Sequence, residues 1–429
     1  MNFSELGLSE KLVAKVTAAG LTTPTPIQDQ AIPHVLNGRD LMGLAQTGTG
    51  KTAAFGLPLI DILMGVGSKP APKTVRGLIL APTRELAKQI SDNLKVFTEK
   101  THLKIGLVVG GVSINAQIKR LQNGTDIVVA TPGRLLDLLD RRSIDLSQTA
   151  YLVLDEADQM LDLGFVHALR KIATFLPAER QTLLFSATMP KLMAEISATY
   201  LKSPVRVEVS PPGKTADKVT QSVHFVAQGA KLPLLKRLID EHRSDLALVF
   251  VRTKHGAEKM MKNLDAAGFA AGSIHGNKSQ GQRDRALAAF KEGRLKVLVA
   301  TDVAARGIDI PDVRHVYNFD LPNVAENYVH RIGRTARAGK AGAAIAFCSE
   351  GEMGELRSIE KVTGQKISVA GGVAWEGAQE AASPKGGRRR GPGGGGGGNK
   401  SGKPGSFGKP KSFRPRRSKS GGQRQRSAA

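Results

Sequence analysis

The sequence predicts an α/β fold, with two parallel-sheet domains in tandem and a basic tail behind them. Three observations carry this. Short apolar runs alternate with amphipathic stretches as far as residue 368, the pattern of parallel strands covered by helices on both faces. A turn-rich break over 210–218, with Pro211, Pro212 and Gly213, divides the series in two. Near the end the composition changes: residues 383–429 hold 6 Lys, 8 Arg and 14 Gly, and no acidic residue.

In order along the chain, the first series has runs at 40–44, 77–80, 105–109, 126–129, 151–154 and 182–185, each predicted as a strand. Between the second and third, 85–100 places Leu86, Ile90, Leu94 and Phe97 at spacings of three and four, which is one helix face. The second series runs at 246–251, 272–274, 296–299, 315–319 and 343–347. The domains are therefore placed at 1–209 and 219–368, with a linker at 210–218 and a transition from 369 into the tail. Phe407 and Phe413 are the tail's only large apolar residues, too little to offset the entropy of ordering, so disorder is expected there.

Composition narrows the class. A chain of 429 residues accommodates two or three domains at about 150 residues each. Lys and Arg number 62 against 38 Asp and Glu, and the balance of +24 argues for a polyanionic partner such as nucleic acid. The tail supplies +14 of it, enough to associate with phosphate backbones at low salt. A single cysteine, Cys348, excludes an internal disulfide and a Cys-rich zinc site, and its apolar neighbours 344–347 read as a buried strand in a reducing compartment. No apolar run reaches the roughly 20 residues of a spanning helix, and the start carries Glu5 and Glu10, so a cytoplasmic protein is expected.

The chemistry-bearing residues sit directly after the apolar runs, where parallel sheets bind ligands. Gly48, Thr49, Gly50, Lys51 and Thr52 follow the first run, after Ala45, Gln46 and Thr47. Small residues let backbone N–H groups approach phosphates, Lys51 neutralises them and Thr52 ligates magnesium; Ala45 stands where the usual pattern has its first glycine. After 151–154 come Asp155, a second magnesium contact, and Glu156, placed to orient and deprotonate an attacking water. ATP and Mg2+ are the expected ligands.

Taken together, 45–52, 82–87, 131–134, Asp155-Glu-Ala-Asp158, 186–188 and 330–337 resemble the motifs of the DEAD-box RNA helicase family, in the family's order from Phe3 to about Gly339. The basic Gly-rich tail on a two-domain body is most similar to the bacterial RhlE-type subgroup. The resemblance implies two RecA-like domains and an ATP-dependent RNA helicase that closes on RNA and unwinds short duplexes locally. It assigns Phe3 and Gln28 to adenine recognition, and a carboxamide pairs with adenine N6 and N7, where guanine offers only acceptors. It makes Arg334 and Arg337 arginine fingers, brings Asp309 to the ribose, and gives Ser186, Thr188, Asp158 and His330 the coupling of the ATP site to RNA.

RNA contact is expected from Pro82, Thr83, Arg84, Gly110, Gly111, Thr131, Arg134, Arg252, Arg283 and Thr301, hydroxyls, cations and main chain that hold phosphates and sugars without reading bases. RNA over DNA is implied by the family alone, as are partners from RNA degradation or ribosome assembly. Two other readings stay open: a DNA helicase sharing the ATPase core, and an ATP-gated RNA chaperone or clamp whose tail anneals strands.

Overall fold

Apolar runs after every turn become strands of two sheets. In the computed structural model of the chain, residues 2–45, 48–189, 191–209, 219–305, 310, 313–336 and 341–375 are described. The first sheet contains β1 (Leu41–Leu44), β2 (Val75–Leu80), β3 (Ile105–Val108), β4 (Thr125–Ala130), β5 (Tyr151–Leu154), β6 (Gln181–Ser186) and β7 (Val205–Glu208), in the order β3-β4-β2-β5-β6-β1-β7. The second contains β8 (Val219–Phe225), β9 (Leu246–Phe250), β10 (Ala271–Ile274), β11 (Val297–Ala300), β12 (Val313–Asn318), β13 (Gly342–Cys348) and β14 (Ser368–Gly371), in the order β10-β11-β9-β12-β13-β8-β14. Every pairing is parallel. Strand for strand, the second order repeats the first.

The interior strands β4, β6 and β9 are buried along their whole length, because helices cover both faces of each sheet. The helix Arg84–Thr98 forms as its periodicity predicts, turning Leu86, Ile90, Leu94 and Phe97 into the core under a Thr83 cap that accepts from the Leu86 N–H at 3.2 Å. Cys348 is buried on β13, its thiol pushed up to about 12 by that burial, as suits an inert packing residue.

Three strands were not predicted. β7 and β14 lie at sheet edges and β8 lies next to one. In β7 only Val207 is buried, β8 is interrupted by three successive polar residues at 220–222, and β14 is almost wholly exposed, so none carries the continuous apolar run that marks a central strand. β14 also carries the second sheet past residue 368, into the stretch read as transition. The linker at 210–218 and the tail lie outside the described residues.

Candidate active site

With all strands parallel, the loops that follow them gather on one edge of each sheet. After β1, the chain turns through Gly48 and Gly50 at φ of 83° and 93°, and the helix Lys51–Met64 begins. A Cβ at Gly50 would meet Gln28 Nε2 at 2.4 Å and Thr25 Oγ1 at 2.8 Å, so both conformation and space demand glycine. Gln28 is buried; its Oε1 accepts from the Thr25 N–H at 3.0 Å and its Nε2 donates to the Gly50 carbonyl at 3.1 Å. The carboxamide thus ties the loop before its own helix to the phosphate loop. Its hydrogen bonds among the described residues use one N–H of the amide and one lone pair of its oxygen. Phe3 instead seats the N-terminal turn in the core at 3 % exposure and does not line the cleft; Leu21 does.

That cleft, of about 430 Å³, is lined by Gln28, Gly48, Gly50, Lys51, Thr52, Asp155, Glu156 and, from the second sheet's side, Arg334. Buried Lys51 donates to the Ala45 carbonyl at 3.1 Å and stands 4.0 Å from Asp155 Oδ1. Burial pushes the Asp155 and Glu156 carboxyls above the ordinary carboxylate range against the pull of Lys51, and Arg334 also pulls Glu156 down. Glu156 occupies left-handed backbone at φ 50°, and its Oε2 has no hydrogen-bond partner among the described residues. A buried acceptor left open beside the phosphate loop suits a group whose partner is a substrate water. Arg334, itself buried, donates through Nε to the His330 carbonyl at 3.1 Å. Gln46, Thr47, Asp309 and Arg337 lie outside the described residues.

The acidic turn is wired to the next loop. Asp158 Oδ2 accepts from the Ala187 N–H, the Thr188 N–H and Thr188 Oγ1 at 3.1, 2.9 and 2.9 Å, and Ser186 Oγ donates to the Thr188 carbonyl at 2.6 Å. The Ala45 N–H donates to the Ser186 carbonyl at 3.0 Å, so this loop also holds the entry to the phosphate loop. His330 lines a small pocket with Phe250, Asp302 and Arg331, and Arg334 lines both this pocket and the cleft.

A second groove, of about 610 Å³, gathers Pro82, Thr83, Arg84, Gly110, Gly111, Thr131, Arg134 and Arg283, with Gly276, Lys278 and Val303. Eight of the ten expected RNA contacts therefore share one surface that draws on both sheets. Arg252 and Thr301 do not line it. Arg252 Nη2 donates to the Leu321 carbonyl at 3.1 Å and to Glu352 Oε1 at 3.4 Å, and Thr301 opens the short helix Asp302–Ala305.

Comparison with known proteins agrees with this layout. The DEAD/DEAH box helicase family matches residues 25–196, and the helicase conserved C-terminal domain matches 230–339. The ATP-dependent RNA helicase CshA of Listeria monocytogenes is 46 % identical over 376 residues, spanning 88 % of this chain and 71 % of its own. The chain belongs to the DEAD-box RNA helicase family. CshA of a Bacillus cereus strain is 45 % identical over 365 residues, covering 85 % of this helicase and 69 % of the relative. Among solved structures, S. cerevisiae Dbp5 bound to RNA and ADP BeF3 aligns with a TM-score of 0.78 and 32 % identity, over 86 % of this chain and 95 % of that one.

Sequence reading missed how the helicase joins its two halves. Glu85, in the first turn of the helix Arg84–Thr98 that follows β2, accepts an ion pair from Arg283 Nη2 at 2.9 Å and a hydrogen bond from Gln280 Nε2 at 3.2 Å, while Arg84 Nη1 donates to Gln280 Oε1 at 3.4 Å. The signal available was the capping box of Ser279 and Gln282, which sets the helix Gln280–Lys291 so that Gln280 and Arg283 share a face. Phe165 and Leu163 also line the groove, apolar side chains that a search for phosphate ligands passes over.

Proposed function

We propose that this helicase hydrolyses ATP in the cleft between its sheets when RNA lies in the second groove, and that closing on both separates short duplexes locally. The observation that carries the reading is Arg334 of the second domain lining the same cleft as Lys51, Asp155 and Glu156 of the first. Such a site reaches full charge complementarity only with both halves present, which makes turnover conditional on closure. Lys51 and the amides of the phosphate loop bind and orient the phosphates, Glu156 takes the proton of the attacking water, and Arg334 meets charge developing on the transferred group. Thr52 and Asp155 are hard oxygen donors that fit Mg2+, which when bound neutralises charge between the phosphates. Gln28 favours adenine.

The groove residues are hydroxyls, guanidiniums and glycines, which suits sequence-independent backbone contact. The tail adds electrostatic affinity. Within the family, the RhlE-type placement rests on the basic tail that follows the second domain, while the curated relatives compared above carry the name CshA. No described helix is long and apolar enough to cross a membrane, and we place the protein in the cytoplasm with its RNA; proteins of RNA degradation or ribosome assembly are the partners the family suggests. The test is the ATPase rate with structured RNA, single-stranded RNA and DNA. RNA-selective stimulation is expected. Equal stimulation by DNA would favour the DNA helicase, and strand annealing without ATP would favour the chaperone.

A further inference from the structure

The second sheet repeats the first, yet one position in it is used differently. Six residues after β8 comes Lys231, which opens the helix Lys231–Glu241 much as Lys51 opens its helix after β1. Lys51 faces the nucleotide cleft. Lys231 is fully buried and spent internally: its Nζ donates to the Phe319 carbonyl at 2.9 Å and to the carboxylate of Glu352. The lysine of the repeat is thus held by a carboxylate inside its own domain, where the lysine of the first domain, 4.0 Å from Asp155 Oδ1, lines the cleft.

Glu352 does more than neutralise that lysine. Its Oε2 also accepts from Ser349 Oγ at 2.6 Å and the Ser349 N–H at 3.1 Å, which completes the Lys231 side of the site. Its Oε1 turns the other way, to the Leu321 N–H at 3.2 Å and Arg252 Nη2 at 3.4 Å. Burial alone would raise this carboxyl, but the bonds from Lys231 and Ser349 outweigh it and hold it below the ordinary range, so it stays an acceptor. Arg252 is fixed from its backbone as well, its N–H donating to Asp320 Oδ2 at 2.8 Å. Among the described residues its guanidinium is engaged through Nη2, by Glu352, Leu321 and, at 4.0 Å, Glu355 Oε1, and the side chain is 40 % exposed. A long cation on a loop after β9 would otherwise sample many rotamers, and two acceptors fixed in the core select one.

We propose that Glu352 is a positioning residue that holds the Arg252 guanidinium ready for an RNA phosphate at the carboxyl edge of the second sheet. This rests on the reading that RNA crosses that edge. The same Asp320–Leu321 turn receives Arg331 Nη1 on the Asp320 carbonyl at 2.6 Å, from the helix that carries His330. The Arg252 contact is thereby built onto the element that leads to the ATP side.

The test is a double-mutant cycle in the full-length protein: RNA-stimulated ATPase of wild type, R252A, E352Q and the double variant against single-stranded RNA. R252A and E352Q should each raise the RNA concentration for half-maximal rate, by about tenfold for loss of one charge-assisted phosphate contact. The double variant should be no worse than R252A, with the loss falling in half-saturation more than in the saturated rate. If R252A leaves RNA dependence unchanged, RNA does not cross this edge and the reading beneath the proposal fails. If R252A weakens RNA but E352Q does not, or if the two losses multiply, Glu352 does not act through Arg252 and the proposal is overturned. Should E352Q unfold the domain, E352D keeps a charge for Lys231 and withdraws Oε1; it should reproduce the shift, and wild-type RNA dependence in it would overturn the proposal equally.

Discussion

At the scale of single residues, the site works because polar groups are buried with one function each left open. Glu156 is the sharpest case, with Oε2 unpartnered in a buried carboxyl whose protonation burial favours. E156Q should keep the shape and the ATP affinity and slow turnover by about 10² to 10⁴, the usual contribution of a positioned base; ATP binding and single-turnover hydrolysis separate the two. Only the ionised carboxylate can take a proton, and the folded protein holds it above the ordinary range. ATPase should therefore fall on acidification at a pH above that of a normal Glu, and a rate that stays flat through the carboxylate range would remove Glu156 as the base. At Gly50, alanine would face both a left-handed φ of 93° and the Gln28 amide at 2.4 Å, so G50A should weaken ATP binding measurably in a direct titration.

Elements decide which of these residues meet. The first turn of the helix Arg84–Thr98 sends Arg84 and Glu85 to the helix Gln280–Lys291, and the Glu85–Arg283 pair leaves only 6 % and 12 % of the two side chains exposed. Removing one partner of a buried pair strands the other, at a cost of about 3–5 kcal/mol. E85A should shift a two-dye distance across the domains toward separation and lower RNA-stimulated ATPase; an unchanged distance distribution would mean the strut is incidental. A different element pair gives a pH signature. Glu258, on the helix Lys254–Asp265, accepts from His275, Lys278 and Ser273 at the end of β10 and in the loop beyond, and those bonds bring its carboxyl down to about 2. A depressed acid contributes stability above its unfolded pKa and loses it as pH falls toward the folded value. Thermal unfolding of the second domain should therefore lose stability between the ordinary Glu range and pH 2, and E258Q should flatten that segment of the curve.

For the whole molecule, two sheets of identical strand order bring Arg334 of the second domain to the cleft lined by Lys51, Asp155 and Glu156 of the first. R334A should cut turnover while leaving ATP affinity without RNA nearly unchanged, since an arginine finger acts on the transition state and contributes about 10³ to 10⁵ in rate. An equal loss of ATP affinity would deny it that role. The tail holds 14 cations, and we propose that they bear on RNA rather than on chemistry. If about half of them release counterions at roughly 0.7 per contact, deleting 383–429 should flatten the log–log salt dependence of RNA binding by about 5 units. The saturated ATPase rate should hardly move, and its collapse would place the tail in the catalytic machinery.

What the sequence by itself determined is local chemistry: Lys51 after two glycines, Asp155-Glu156 after an apolar run, and central strands and helices marked by their apolar periodicity. These are legible because phosphate binding and burial dictate residue type within a few positions of the chain. The edge strands β7 and β14, largely exposed, carry no such signature. Nor does any local pattern say that Phe3 belongs to the core, that Arg252 stands apart from the groove that takes Arg283, or that Glu85 pairs with a residue almost 200 positions away. Those were settled only by the tertiary structure, because strand order and the packing of one domain's loops on the other fix distances between residues that the chain itself leaves unrelated.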